Sequence, residues 1–283
     1  MHKLSTGRKI YTKLFQILMG IAAFTVIALL IGIVGYIISR GVPNVTLKLI
    51  TLKPSLLRNI DGILPNILNT VYIVLITLVF VLPIGVGSAI YLTEYAKNKK
   101  IVRAVELAAE TLSGIPSIIY GLVGLLIFVE FFSLGTSILA GSFTLVIMTL
   151  PTVIRTTEES LKTVPNSYRE GSLALGSGKW HMIRTVVIPS AVDGIITGCI
   201  LSVGRIVGES AALLFTAGMA NEILGIKEAL SAGNPGSTLT VALYMYAKER
   251  GEFGVAFAIA FILLALTCII NTLAHLAAKK FRK

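Results

Sequence analysis

Long apolar runs separated by short basic stretches dominate the chain. Residues 14–39, 62–93, 131–154 and 253–278 carry no Asp, Glu, Lys or Arg, and each exceeds the roughly 20 residues that span a bilayer core. A fifth run, 111–129, is just long enough. Runs this long predict helices, because barrel strands show alternation over about 10 residues instead. The pattern predicts spans at about 14–38, 68–93, 109–131, 137–155, 190–217 and 253–277. The fifth is the weakest, since it contains Arg205 and Glu209. The first run is far longer than the apolar part of a signal peptide and no small-residue cleavage site follows it, so it reads as a retained helix.

Composition agrees. The 283 residues are 55% hydrophobic and 14% charged, against about 25% charged in soluble domains. The expected class is an all-α integral membrane protein with six transmembrane helices. Lys3, Arg8, Lys9 and Lys13 precede the first span, and Lys97, Lys99, Lys100 and Arg103 follow the second. Arg155, Lys162, Arg169, Lys179 and Arg184 follow the fourth, and Lys279, Lys280, Arg282 and Lys283 end the chain. The opposite side is sparser, with Arg40, Lys48, Lys53, Arg58, Lys227, Lys248 and Arg250. The basic side of a membrane protein is cytoplasmic, so both termini are expected there, in the cytoplasmic membrane. This topology accounts for the net charge of +11 without a nucleic-acid partner. Cys199 and Cys268 fall in apolar spans and read as small buried hydrophobes.

The cytoplasmic loop 156–189 holds the stretch "LALGSGKWHMI", whose centre resembles the end of a phosphate-binding P-loop. That motif needs a glycine where Leu173 stands and a hydroxyl where Trp180 stands. The chain therefore carries no nucleotide site of this type. Pro165 and Asn166 break the chain instead, and Ser167 with Glu170 form the S-x-x-E of a capping box. A short helix is expected from Tyr168 to Leu175, stopped by Gly176. A second is expected from Lys179 to about Val186, capped by Ser177 and ended by Pro189. Tyr168, Leu173, Leu175 and Trp180 would face outward, either onto headgroups or into a groove of a cytoplasmic partner.

The loop resembles that of ATP-binding-cassette importer permeases, which carry E-A-A-x(3)-G-x(9)-I-x-L-P. Here Glu170-Gly171-Ser172, three residues, Gly176 and nine residues lead to Val186-Val187-Ile188-Pro189. The spacing is met at every step; the residues differ at Gly171, Ser172 and the hydrophobic positions. "LSGIPSIIYGLVGL", "LPTVIRTTEESL", "GRIVGESAALLFTAG" and "LPIGVGSAIYLTEYA" are similar to the phosphate-specific branch, and to its A-type permeases. The resemblance covers about 65–278. It implies the type I importer (MetI-like) permease fold, with a core at 65–283 and a first helix with its external segment at 1–64. It also implies that Ser167, Glu170, Gly171, Ser172, Gly176, Trp180 and Pro189 belong to a loop coupling to a separate dimeric ATPase, which would bind ATP and Mg. A C-type second permease and an extracytoplasmic phosphate-binding protein are the other implied partners.

The residues bear on this reading independently. Ser190, Gly194, Gly198 and Ser202 step by four, a small-residue face for close helix contact. At about 100° per residue Arg205 and Glu209 continue that face and are expected to point into the protein, away from lipid. Charges within a span point to function, and a guanidinium fork suits an oxyanion. Glu209 would temper Arg205 so that the anion is released. Arg155 fits either the pathway or a snorkelling anchor at the interface. Ser113, Ser117 and Gly121 share a face beside Pro116, which opens the helix and frees backbone groups that either line a cavity or serve packing alone. The pathway candidates are thus Arg205, Glu209, Arg155 and Ser117. The outer loop 219–252 could be a re-entrant or external lid. Two other functions compete: import of another solute such as molybdate, sulfate or an amino acid, and ion-gradient transport. The second predicts inverted repeats, and none is evident. No carboxylate pair, metal cluster or nucleophile constellation in the spans suggests an enzyme.

Overall fold

The computed structural model describes residues 6–54 and 61–281, which are helical with short connections. Lys3, Arg58, Arg282 and Lys283, which entered the charge count, lie outside the described residues. Helix α1 is Thr6–Gly41, α2 Leu64–Ile90, α3 Lys99–Ser113, α4 Ser117–Gly124 and α5 Ile138–Thr163. On the cytoplasmic side follow α6, Asn166–Ala174, and α7, Lys179–Met182. Then come α8, Ile188–Gly208, α9, Ala211–Thr216, α10, Leu239–Tyr244, and α11, Phe253–Phe281. Among the described residues no strand occurs. Among the described residues five helices are long and apolar enough to cross a bilayer, and the pair 99–131, counted as one bent span, makes six.

Helices α2, α5 and α8 form the centre. Ile73, Leu145, Met148, Val203 and Ile206 are buried together there. Lipid tails are as apolar as leucine, so burial alone does not drive these helices together; close approach does. The small-residue face of α8 supplies it. A Cβ at Gly194 would overlap Ser160 of α5, and one at Gly198 would overlap Thr156. The Ser160 hydroxyl donates to the Ala191 carbonyl across this seam at 2.9 Å. Gly85 of α2 lies against Val153 in the same way. Helix α1 stands apart, its most apolar stretch wholly exposed. Its end meets α11 through Tyr36 and Phe257, edge to face at 5.4 Å.

The structure corrects several expected boundaries. The third span is not straight: α3 and the helix after it are bent by 101°. Pro116 sits at the break with extended ψ of 139°, and it has no N–H to continue the ladder. Tyr120 bridges the break by donating to the Leu112 carbonyl at 2.8 Å. The fifth span is also broken. Glu209 leaves the helix at ψ 126°, and α9 begins two residues later.

The loop after the fourth span starts later than 156, because α5 runs to Thr163. Pro165 then precedes α6 at ψ 141°, with no side-chain cap. The capping box of Ser167 and Glu170 does not form, since the helix begins at Asn166 and Ser167 is already inside it. Ser177 does not cap the second helix; its hydroxyl turns back to the Ser172 carbonyl at 2.8 Å. Pro189 ends nothing. A π-helical turn over Ile183–Val187 joins α7 to α8 in one helical run from Lys179 to Gly208, and Pro189 lies inside that run, just after the π-helical turn.

The outer loop is a folded segment. Asn66 and Asn69 of α2 both donate to the Ser237 carbonyl at 3.2 Å, and Thr70 accepts from the Leu239 amide at 2.9 Å. Leu239 and Val241 are fully buried. This segment packs against the start of α2.

Candidate functional site

Arg205 lies in the last turn of α8. Its guanidinium is half-buried, and its hydrogen-bond partner is the Thr152 hydroxyl of α5, at a long 3.4 Å. No ion pair among the described residues joins it to Glu209. Leu201, Gly204 and Gly208 share its face by i, i+3 and i+4 spacing, and all three are exposed. The positions of Gly204 and Gly208 open onto free space. The result is a cation beside bare helical backbone, on a face that none of the described residues covers.

Glu209 does not continue that face. Its carboxylate is buried and accepts from the Ala212 amide at 3.0 Å, which satisfies a free N–H at the start of α9. Its carbonyl accepts from the Thr240 hydroxyl at 2.6 Å, tying the break in the fifth span to α10. Ser117 opens α4 half-buried, next to the Pro116 break. Gly121, one turn on, lies against Ala212, so the Ser117–Gly121 face packs partly on α9.

Arg155 has other partners. It is exposed and paired with Glu159 at 3.0 Å and with Glu110 of α3 at 3.6 Å. Beside it Lys162 meets Glu158 at 2.6 Å and Glu106 at 3.0 Å. These six charged side chains line a cavity of about 220 Å³ between α3 and α5. Arg155 and Arg205 thus meet α5 within one turn of each other but have different partners, Glu110 and Glu159 for the first and Thr152 for the second.

The cytoplasmic hairpin presents the expected outward residues. Tyr168, Leu173, Leu175 and Trp180 are all exposed, Leu175 at 91%. Glu170, Gly171 and Ser167 are exposed with them. Gly176 has φ of 85°, the left-handed conformation that ends a helix at low cost in glycine.

Glu94 escaped the sequence reading, which assigned no partner to Arg169 or Lys179. Glu94, in the π-helical turn after α2, accepts from Arg169 at 2.9 Å. Arg169 also donates to the carbonyls of Leu161 at 2.9 Å and Val164 at 2.6 Å. Lys179 donates to the Glu94 carbonyl, with its ammonium 4.8 Å from the centre of the Tyr95 ring. A carboxylate at a helix C-terminus opposes the helix dipole; the position of Glu94 was the available signal that it had a cationic partner.

A family model described as "Binding-protein-dependent transport system inner membrane component" matches residues 81–283. A probable ABC transporter permease, YqgI of Bacillus subtilis, is 40% identical over 246 residues, covering 84% of each chain. The phosphate transport system permease protein PstA of Haemophilus influenzae is 34% identical over 245 residues, or 86% of this chain and 84% of that one. The permease fold also recurs in a bacterial alginate ABC transporter, at TM-score 0.68 and 13% identity, over 100% of this chain and 99% of the other. The geometry and these similarities converge, and the chain belongs to the family of inner-membrane components of binding-protein-dependent transport systems.

Proposed function

We propose that the chain is a permease subunit of an ATP-driven inorganic phosphate importer and forms half of its pathway. The observation that carries this reading is Arg205, a guanidinium held by one long hydrogen bond on an open face beside Gly204 and Gly208. A fully satisfied arginine would have nothing left for an oxyanion. A free one with five donors binds tetrahedral anions through its planar fork. Exposed glycines let the anion approach the backbone closely. The similarity to PstA proteins supports phosphate over other solutes.

The open face would be closed by a homologous C-type permease, so that the pathway runs between the two subunits. Glu209 would fix the end of α8 there, with Ser117 at the neighbouring break. Arg155 would stand at the cytoplasmic exit. Solute would arrive from an extracytoplasmic phosphate-binding protein. Energy would come from a dimeric ATPase seated on the exposed hairpin 167–186, which would itself hold ATP and Mg. This chain would do no hydrolysis, and Lys179, the lysine of the apparent P-loop, is already engaged by Glu94 and Tyr95. Closure of the ATPase dimer would move the hairpins and rock the spans between outward and inward access.

The test is uptake by the reconstituted complex. Phosphate uptake should be lost in Arg205→Ala with ATPase still bound, and sulfate or molybdate in excess should not compete. Uptake unchanged by Arg205→Ala would remove the pathway assignment, and full competition by molybdate would reassign the solute.

A further inference from the structure

Helix α6 contributes no buried residue. An element that receives force from a partner must nevertheless be fixed to what it moves. Its side-chain anchor is Arg169, and that one guanidinium reaches three places. It meets Glu94 beyond the end of α2 through two of its nitrogens, at 2.9 and 3.0 Å. It meets the Leu161 and Val164 carbonyls at the end of α5. It also meets the Asn166 side chain in its own first turn, at 3.4 Å. The pair is shielded from water, with side-chain exposures of 16% for Arg169 and 6% for Glu94. Lys179 adds a second tie from α7 to the Glu94 carbonyl. Both cytoplasmic helices therefore converge on one carboxylate residue.

We propose that the Arg169–Glu94 pair is the strut that makes the ATPase-docking helix move as one body with the second and fourth spans. Arg169 and Glu94 are positioning residues and touch neither solute nor nucleotide. A shielded ion pair is a poor stabiliser compared with apolar packing. What it supplies is direction: a planar fork bonded to two helix ends transmits displacement and rotation, which a sliding apolar contact does not. Without it, motion of α6 would be taken up by the connections at Pro165 and Gly176. The inference rests on the docking role given to this hairpin above.

The experiment uses the assembled complex of both permeases and the ATPase. Cys199 and Cys268 are replaced by alanine, and spin labels are placed at Lys97→Cys and Ala174→Cys. The parent should give one narrow distance that persists when ATP is added. Glu94→Gln should broaden it, keep the ATPase bound, and lower phosphate moved per ATP hydrolysed by about tenfold. Should Glu94→Gln not assemble, Arg169→Lys serves instead, since it keeps the charge but cannot span the carboxylate and both carbonyls. A distribution as narrow as the parent's, or a transport ratio within about twofold of it, overturns the proposal. Failure of the unlabelled native complex to retain the ATPase would instead refute the docking role. Failure of the unlabelled native complex to move phosphate would refute the solute assignment and leave the distance measurement decisive.

Discussion

Arg205 and Glu209 stand one helical turn apart in sequence and do not pair. Arg205 reaches to Thr152, while Glu209 leaves the helix and accepts the Ala212 amide at 3.0 Å. One carboxylate oxygen of Glu209 and its backbone carbonyl therefore serve the break between α8 and α9, and the guanidinium keeps its charge for another partner. Glu209→Gln retains an acceptor for Ala212 and should leave the thermal stability of the purified complex nearly unchanged. Glu209→Ala strands that amide and should cost about 1–2 kcal/mol. Uptake should follow stability in this pair of variants, whereas Arg205→Gln should lose uptake at unaltered stability. An uptake loss in Glu209→Gln equal to that in Arg205→Gln would show that the carboxylate charge acts on the solute directly.

The two glycine faces of α8 make opposite predictions. A Cβ at Gly198 overlaps Thr156, whereas one at Gly204 meets nothing. Gly198→Val should therefore push α8 off α5 and destabilise the protein by at least the 1–3 kcal/mol typical of overpacking. Gly204→Val should leave unfolding in detergent unchanged but obstruct the face beside Arg205 and reduce uptake. Equal stability loss in both variants, measured by thermal unfolding, would contradict the packing described here.

Gly176 is the one residue of the hairpin formed by α6 and α7 whose backbone alone dictates its identity. Its φ of 85° costs an L-residue about 1–2 kcal/mol. Its Cβ position is open, so sterics with neighbours play no part. Gly176→Ala should re-aim α6 relative to α7 and weaken co-purification of the ATPase, with the spans intact by circular dichroism. Gly171→Ala, at an ordinary helical position with equally open space, isolates the backbone effect and should bind the ATPase more tightly than Gly176→Ala does.

The hydrophobic pattern carried most of the fold because lipid-facing and packed helices share one requirement, an uninterrupted apolar run with its backbone bonds satisfied internally. The small-residue spacing of α8 likewise translated directly into its contact with α5. Two features were hidden for physical reasons. The break at Glu209 needs no proline or glycine at that position; a side-chain acceptor for Ala212 and the Thr240 hydroxyl stabilise it, and Thr240 lies far away in sequence. The Glu94–Arg169 pair joins residues 75 positions apart, and neither periodicity nor local spacing records such a partnership. Conversely, the S-x-x-E of Ser167 and Glu170 was a valid local signal overruled by Pro165, which caps a helix that starts at Asn166, two residues early.

The charged cluster between α3 and α5 separates an exposed ion pair from a shielded one. Arg155 is solvated and shared between Glu159 and Glu110, so Arg155→Gln should leave the melting temperature unchanged at any salt concentration. Lys162 holds Glu158, whose side chain is only 7% exposed. Removing that cation leaves a shielded carboxylate facing Glu106, a second carboxylate bonded to the same lysine. Lys162→Ala should therefore destabilise the protein by about 1–3 kcal/mol, a cost that Glu158→Gln in the same chain should largely restore, because the amide is neutral and can donate to Glu106. Thermal unfolding of the two single variants and the double variant measures this directly. If Lys162→Ala alone is as stable as the parent, the lysine is an ordinary surface charge and the cavity beside it is not held together by ion pairing. A drop in phosphate uptake in Arg155→Gln, at unchanged stability, would then assign the cytoplasmic exit to the solvated side of the cluster.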